Sequence, residues 1–175
     1  MSTSTEQHVE RFVLPGGETA WIRMMCLQDV PKVHDLETKA YKDPWSLSHF
    51  RHEITDSTVS WPLIAECGVQ LLGYAIVWFV EDELHIANIA TAPEQRRKGI
   101  ASQLLAVILE EGLNRQAQRA YLEVRGSNVA AFQLYKKFKF DLIGTRMRYY
   151  RDGEDAILMH RFLRPGFDSN ITASL

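Results

Sequence analysis

The feature that most constrains this chain is a strand that runs into a basic glycine turn and then into a helix. Residues 84–91 form an apolar run typical of a buried strand, and residues 100–114 carry apolar residues at helical spacing. Between them lie three consecutive cations and Gly99. A helix start presents free backbone N–H groups and the positive end of the helix dipole, and a glycine lets a ligand approach closely. The sequence therefore predicts a phosphate site at this turn.

Hydrophobic periodicity predicts strands and helices along the rest of the chain. The predicted order is one strand, two helices, three strands, a helix, a strand, a helix and two strands. Asp29 and Ser46 are suited to cap the first two helices. The predicted strands are residues 19–26, 61–66, 69–80, 84–91, 120–125, 141–150 and 155–162. This order predicts an α/β (α+β) fold with a mixed sheet of about seven strands and helices on both faces.

The length of 175 residues fits one domain with a sizeable core. We place that domain at residues 19–163, between a flexible N-terminal extension (1–18) and a flexible C-terminal tail (164–175), because both ends are polar and rich in Ser and Thr.

The composition limits the classes of partner. A formal net charge of −2 makes the basic turn a local feature, so we expect no direct nucleic-acid binding. The sequence shows no signal peptide and no membrane-spanning run, and we expect a cytoplasmic protein. Cys26 and Cys67 are expected to be buried, reduced thiols. His49 and His52 lack a third ligand, so we expect no metal site.

The basic turn alone leaves two explanations open. It lacks the spacing of a nucleotide-hydrolysing P-loop and of a dinucleotide-binding fold, and a solvated charge run at a helix start explains it equally well. In its context, however, the pattern Arg96-x-x-Gly99-x-Ala101 resembles the acetyl-CoA signature of the GNAT superfamily of N-acetyltransferases, and the predicted element order is similar to that of the GNAT fold. The resemblance implies a mostly antiparallel central sheet.

Further blocks are similar to the RimI-like branch of that superfamily, and the resemblance covers roughly residues 20–162. Members of this branch acetylate the N-terminal alanine of a small-subunit ribosomal protein. The similar blocks are Pro44-Trp45-Ser46, residues 88–93, residues 122–128, Leu134-Tyr135, Tyr149-Tyr150 and residues 154–159. The resemblance thus implies an acetyl-CoA-dependent enzyme that acts on a protein N-terminus and needs no metal.

The resemblance also implies a set of residues that bind acetyl-CoA. The pyrophosphate would contact the turn, the pantetheine arm would pair with the preceding strand, and an N–H of that strand could bind the developing oxyanion. Asn128 would contact the arm, although it is also a plausible helix cap. The implied residues are Ile89, Ala90, Thr91, Arg96, Arg97, Lys98, Gly99, Ile100, Ala101, Ser102 and Asn128.

The implied catalytic residues are Glu123 as general base and Tyr135 as the acid that protonates the departing thiolate. Each has a structural alternative: Glu123 could pair with Arg125, and Tyr135 lies on the apolar face of its helix. A carboxylate of ordinary acidity is a weak match for the base, so we expect Glu123 to be buried or to act through water. Candidates for the peptide end are Tyr149, Tyr150 and Glu154, which could equally belong to a solvated hairpin.

Two other functions stay open at this point. The acceptor could be a lysine or a small-molecule amine, or the chain could be a non-catalytic acetyl-CoA-binding module. The presence of both Glu123 and Tyr135 argues against the module. One departure from the family pattern is Lys139, which stands where the family usually has Gly after its second helix; either Lys139 is strained or the helix ends differently.

Overall fold

The computed structural model describes residues 8–163, within which it contains eight strands and four α-helices. The strands are β1 (His8–Val13), β2 (Thr19–Met24), β3 (Ser60–Cys67), β4 (Gln70–Val80), β5 (Glu83–Thr91), β6 (Arg119–Arg125), β7 (Asp141–Arg146) and β8 (Ala156–Phe162). The helices are α1 (Val30–Ala40), α2 (Leu47–Thr55), α3 (Ile100–Asn114) and α4 (Val129–Lys137). Within residues 8–163, no helix is long and apolar enough to cross a membrane.

The strands form one hydrogen-bonded sheet in the order β1-β2-β3-β4-β5-β6-β8-β7. The β5–β6 pair is parallel, whereas the pairs β1–β2, β2–β3, β6–β8 and β7–β8 are antiparallel. The prediction of a mixed, mostly antiparallel sheet is therefore confirmed, with eight strands in place of about seven. Residues Glu83–Ile86 of β5 lie in register with Arg119–Leu122 of β6.

The additional strand is β1, which lies in the segment expected to be a flexible extension. It pairs with β2 through a tight turn in which the Leu14 N–H donates to the Glu18 carbonyl at 2.9 Å. Phe12 of β1 and Leu14, which follows the strand, are 7% and 5% exposed, so this segment contributes apolar side chains to the core. This correction applies to residues 8–13; the expectations for residues 1–7 and 164–175 lie outside the described residues.

Contacts divide the chain into two compact units. Among the described residues, the first comprises residues 8–76 together with Asn88–Val107, and the second comprises Val77–Ala87 together with residues 108–163. Strands β4 and β5 and helix α3 contribute residues to both units. The single-domain limits expected at residues 19–163 stay a prediction.

An ion-pair network in the first unit explains why Asp29 does not cap α1 as expected. Asp29 precedes α1, but its side chain makes no cap bond to that helix. Its carboxylate instead accepts the Cys26 N–H at 2.9 Å and pairs with Arg23 at 2.7 Å. Arg23 is 5% exposed and also pairs with Glu66, because a buried guanidinium needs carboxylate partners. Ser46 does cap α2, accepting the His49 N–H at 3.3 Å.

The end of α4 settles the two alternatives for Lys139. Its φ is +60°, in the left-handed region. The Lys139 N–H donates to the Lys136 carbonyl and the Phe140 N–H to the Tyr135 carbonyl, the two bonds of a Schellman motif. The rings of Phe140 and Tyr135 meet edge to face with centroids 5.9 Å apart, supplying the accompanying apolar contact. The helix therefore ends in the usual way, with a strained lysine where glycine is favoured.

We predict that Lys139→Gly stabilises the protein, because a non-glycine residue in the left-handed region is strained. The expected gain in the free energy of unfolding is about 0.5–1 kcal/mol, measured by urea denaturation. The matched control is Lys137→Gly, inside the last turn of the same helix, which should destabilise by about 1 kcal/mol. A loss of stability in Lys139→Gly would contradict the assignment of strain.

Candidate active site

The basic turn of the first unit is built from two residues in the left-handed region. After a single 3₁₀ turn at Pro93–Gln95, Arg97 has φ +63° and Gly99 has φ +82°. The Gln95 side chain is buried and accepts a hydrogen bond from Lys98 Nζ at 2.8 Å. Arg96 and Arg97 are exposed. The turn thus directs two guanidinium groups to solvent, while the ammonium of Lys98 is held against the turn.

The start of α3 leaves space for an anion. The first backbone bond of this helix runs from the Gln103 N–H to the Gly99 carbonyl, so the N–H groups of Ile100, Ala101 and Ser102 have no partner one helical turn before them. A Cβ placed on Gly99 would meet no atom within 4 Å. Glycine is therefore needed here for its backbone conformation, and the space beside it is open to a ligand.

At the end of strand β5, one edge of the strand bonds to β4, and the main-chain groups of the other edge face away from β4. The Ala92 N–H donates to the Leu72 carbonyl of β4 at 2.9 Å. The Ala90 carbonyl approaches β4 so closely that a Cβ on Gly73 would lie 2.7 Å from its oxygen. Because main-chain groups alternate along a strand, those of Ile89 and Thr91 face the opposite edge. Thr91 Oγ1 is buried and has no hydrogen-bond partner among the described residues, so this segment can still accept a polar ligand.

In the second unit, Glu123 lies on β6 between two buried residues. Leu122 and Val124 are each 4% exposed and face the core, which places Glu123 on the other face of the strand. Its side chain is 28% exposed, and its Oε1 accepts a hydrogen bond from Arg146 at 2.6 Å. Its hydrogen bond with Tyr149 is the main reason that the pKa of Tyr149 is raised. Glu123 is thus hydrogen-bonded and reachable by water.

The cation that pairs with Glu123 is Arg146 of β7, a residue that the sequence did not identify. The alternative partner suggested by the sequence, Arg125, forms its ion pairs with Asp152 and Glu154. Arg146 lies 23 residues away, on a strand that reaches β6 only through β8. Alternation along β6 identified the face of Glu123, but local sequence held no signal for a partner on a non-consecutive strand.

Arg125 belongs to a separate cluster that fixes the loop between β7 and β8. Its Nη1 lies 3.0 Å from Asp152 and 2.9 Å from Glu154, and its guanidinium stacks 3.8 Å from the ring centroid of Tyr150. Glu154 also accepts the Ser127 N–H at 2.7 Å. The hydrogen bond from Ser127, with Arg125 nearby, lowers the pKa of Glu154. Both Glu154 oxygens are therefore engaged within the protein, which favours a role in holding this loop.

Tyr135 lies on α4, and Asn128 lies immediately before the first residue of that helix. Tyr135 is 5% exposed, and burial raises the pKa of its hydroxyl above the usual range, so the group stays protonated at neutral pH. Burial likewise raises the pKa of Tyr150 to about 12. Asn128 caps α4 by accepting the Ala131 N–H at 3.1 Å, as its capping alternative predicted. A contact between Asn128 and a CoA arm stays a prediction.

Cys26 and Cys67 are free but only half-buried, so the expectation that both thiols are buried was wrong. Among residues 8–163, no group of three His, Cys, Asp or Glu side chains is arranged to hold a metal ion.

Comparisons with known proteins agree with these features. The family model described as the acetyltransferase (GNAT) family matches residues 30–140, more than half of the chain. The ribosomal protein bS18-alanine N-acetyltransferase of Escherichia coli (strain K12) is 34% identical over 134 residues, which cover 75% of this chain and 89% of that protein. A Bacillus subtilis (strain 168) protein, provisionally given the same name, is 38% identical over 141 residues, or 80% of this chain and 93% of the relative.

A solved structure extends the similarity to the fold. The crystal structure of the ribosomal-protein-S18-alanine N-acetyltransferase from Escherichia coli superposes with a TM-score of 0.76 at 31% sequence identity, covering 82% of this chain and 94% of that one. The strand, the left-handed basic turn and the helix lie within the matched family segment. On this evidence the chain belongs to the GNAT family of acetyltransferases.

Proposed function

We propose that this protein transfers the acetyl group of acetyl-CoA to the N-terminal α-amino group of a protein, and that the acceptor is the N-terminal alanine of a small-subunit ribosomal protein. The observation that carries the proposal is the 34% identity, over 89% of its length, to an Escherichia coli enzyme named for that reaction. The free helix start at Ile100 and the protonated Tyr135 support it, because an anion site can hold the pyrophosphate of CoA and a proton donor assists the departure of its thiolate.

The first unit supplies the groups that bind the donor. The N–H groups of Arg97 to Ser102 bind the pyrophosphate, and the exposed Arg96 and Arg97 add positive charge. The main chain of Ile89 to Thr91 pairs with the pantetheine arm. The open space beside Gly99 and the unpartnered Thr91 Oγ1 fit such a ligand. When bound, acetyl-CoA supplies an activated acyl group and a thiolate leaving group.

Proton energetics favour an α-amine as the acceptor. A free α-amino group has a pKa of about 7.7–8.0, so at pH 7 its deprotonation costs only about 1.4 kcal/mol. A lysine amine with a pKa of about 10.4 costs about 4–5 kcal/mol. A partly exposed carboxylate such as Glu123 is adequate for the smaller task, particularly when a water molecule relays the proton.

The proposed reaction is a direct attack, with no covalent enzyme intermediate. Glu123 accepts, through water, the proton that the acceptor amine loses as its N–C bond forms. A main-chain N–H of the Ile89–Thr91 segment stabilises the oxyanion. Tyr135 donates its phenolic proton to the CoA sulfur as the C–S bond breaks. Tyr149 and Tyr150 bind the peptide end, and Glu154 holds their loop through Ser127 and Arg125.

A panel of acceptors tests the reaction class. We expect CoA release from acetyl-CoA with peptides that begin with a free alanine, and none with N-acetylated copies of the same peptides. Mass spectrometry should locate the acetyl group on the N-terminal nitrogen. Release with N-blocked, lysine-containing peptides or with small amines would contradict the proposal and indicate a different acceptor. Binding of acetyl-CoA without release across the panel would indicate a non-catalytic module.

We predict that Glu123→Gln lowers kcat by about 10²-fold or more, because general bases typically contribute 10²–10⁴-fold. The affinity for acetyl-CoA, measured by calorimetry, should change by less than about twofold, since no donor-binding role falls to Glu123. The control is Glu83→Gln, another partly exposed strand carboxylate of the same unit, which should keep full activity. A Glu123→Gln enzyme of normal turnover would remove Glu123 from the mechanism.

Tyr135→Phe is expected to lower kcat by about 10- to 100-fold, because a general acid assists the departure of a thiolate without being indispensable. Its pKa lies well above neutrality, so the wild-type group donates throughout pH 6–9 and should add no step to the pH profile there. Steady-state release of the CoA thiol measures the effect, with Tyr121→Phe of β6 as the control. A change below about twofold would return Tyr135 to a purely structural role.

A further inference from the structure

The carboxylate of Glu37, near the end of α1, is buried in the first unit at 1% exposure and accepts three hydrogen bonds. The main-chain N–H of Trp45 donates to Oε1 at 2.9 Å, and Asn88 Nδ2 donates to the same oxygen at 3.2 Å. The Tyr74 hydroxyl donates to Oε2. This one side chain therefore ties α1 to the loop that precedes α2, to β4 and to β5.

A second bond from the end of α1 reaches the adjacent residue of β5. The Tyr41 hydroxyl donates to the Ile89 carbonyl at 2.6 Å. Tyr41 is itself fixed, because its N–H closes the helix on the Glu37 carbonyl at 2.9 Å. Glu37 and Tyr41, named here the α1 clamp, thus hold two consecutive residues of β5, one by its side chain and the other by its main chain.

The clamp bonds to Asn88 and Ile89, where the proposed donor-binding segment of β5 begins. Ile89 and Thr91 face the strand edge that is turned away from β4, and the Ile89 carbonyl on that edge is taken up by Tyr41. The Ile89 N–H lies on the same edge and is left for a ligand, while the Ile89 carbonyl already has one hydrogen-bond partner in Tyr41. A tilt of the segment would misplace this N–H relative to the thioester.

We propose that Glu37 and Tyr41 are positioning residues for the acetyl-CoA thioester, which they orient by fixing Asn88 and Ile89 at the start of the donor-binding strand. This inference rests on the proposed use of acetyl-CoA. It requires neither residue to touch the donor or the acceptor.

The chemistry of the cluster suits a permanent anchor. A buried carboxylate is tolerated only when its oxygens are hydrogen-bonded, and Glu37 has donors on both. Burial, together with the nearby Tyr41 and Glu37, raises the pKa of Tyr74 well above its usual value, so Tyr74 remains a donor over the working pH range. The packing of Tyr74 against Phe50, with ring centroids 5.6 Å apart, holds the phenol in place.

The test uses two mild variants that each cut one arm of the clamp in the full-length protein. Asn88→Ala removes the link from Glu37 to β5, and Tyr41→Phe removes the hydroxyl that holds the Ile89 carbonyl. Each should weaken the binding of CoA, measured by calorimetry without any acceptor, by about 3- to 10-fold, the range expected for one lost hydrogen bond. Each should also lower kcat while leaving the KM for the acceptor peptide within about twofold. The double variant should bind CoA no more tightly than the single variant that has the lower CoA affinity.

The matched control is Asp29→Asn, which disturbs another buried carboxylate of the same unit, at 4% exposure and paired with Arg23. It should lower the melting temperature yet keep the CoA affinity and kcat of the folded enzyme. Unchanged CoA affinity in both clamp variants, or an equal loss in Asp29→Asn, would overturn the inference. The calorimetric readout needs no acceptor, so failure of the wild-type enzyme to acetylate alanine peptides would contradict the proposed function separately.

Discussion

The close approach of β4 to β5 at Gly73 is the constraint on which the proposed donor-binding part of the first unit depends. A Cβ at this position would lie 2.7 Å from the Ala90 carbonyl oxygen and 3.2 Å from Ile100 Cγ2. Only a hydrogen atom fits there, and its small size lets the first turn of α3 pack directly on the two strands. The basic turn joins that strand end to that helix start through two residues in the left-handed region, Arg97 and Gly99.

Charge in the second unit is divided between two clusters with different consequences. Arg125 pairs with Asp152 and Glu154, and these ion pairs hold the loop after β7. Glu123 pairs with the more exposed Arg146 and remains 28% exposed. A carboxylate that kept Arg125 as a buried partner would exchange protons with water less readily. The separation of the two clusters therefore leaves Glu123 accessible to water.

Local sequence patterns predicted the elements well where one periodicity ran without interruption. The bounds of α3 agree with the predicted residues 100–114 because its apolar face continues over four turns. Strand β1 was missed because Phe12 is its one buried residue among residues 9–13, and Leu14 follows the strand. Two buried apolar residues beside a polar terminus give too weak an alternation. The problem at Lys139 was visible in the sequence, since the rule for helix ends is local, but only the backbone angle distinguished strain from a different ending.

Most of the proposed site residues were found by resemblance, and the structure adds the partners that resemblance did not supply. The Glu123–Arg146 pair depends on the strand order β6-β8-β7, in which the last hairpin is reversed relative to the chain, and no local pattern encodes that order. The same is true of Glu37, which is separated by 51 residues from Asn88. In the sequence it stands on a helix whose other buried positions are apolar, so periodicity gives it no special role.

In the proposed reaction, different features of the protein recognise the acetyl donor and the acceptor amine. The turn before α3 offers N–H groups and positive charge, which specify a phosphate compound but carry no information about the amine. In the proposed reaction, the acceptor is selected by proton energetics and by the groups around Glu123. An α-amine loses its proton about 3 kcal/mol more cheaply than a lysine at pH 7. With Glu123 as the proposed base, that difference alone favours a protein N-terminus over a lysine side chain by about two orders of magnitude, before any contact with the peptide contributes.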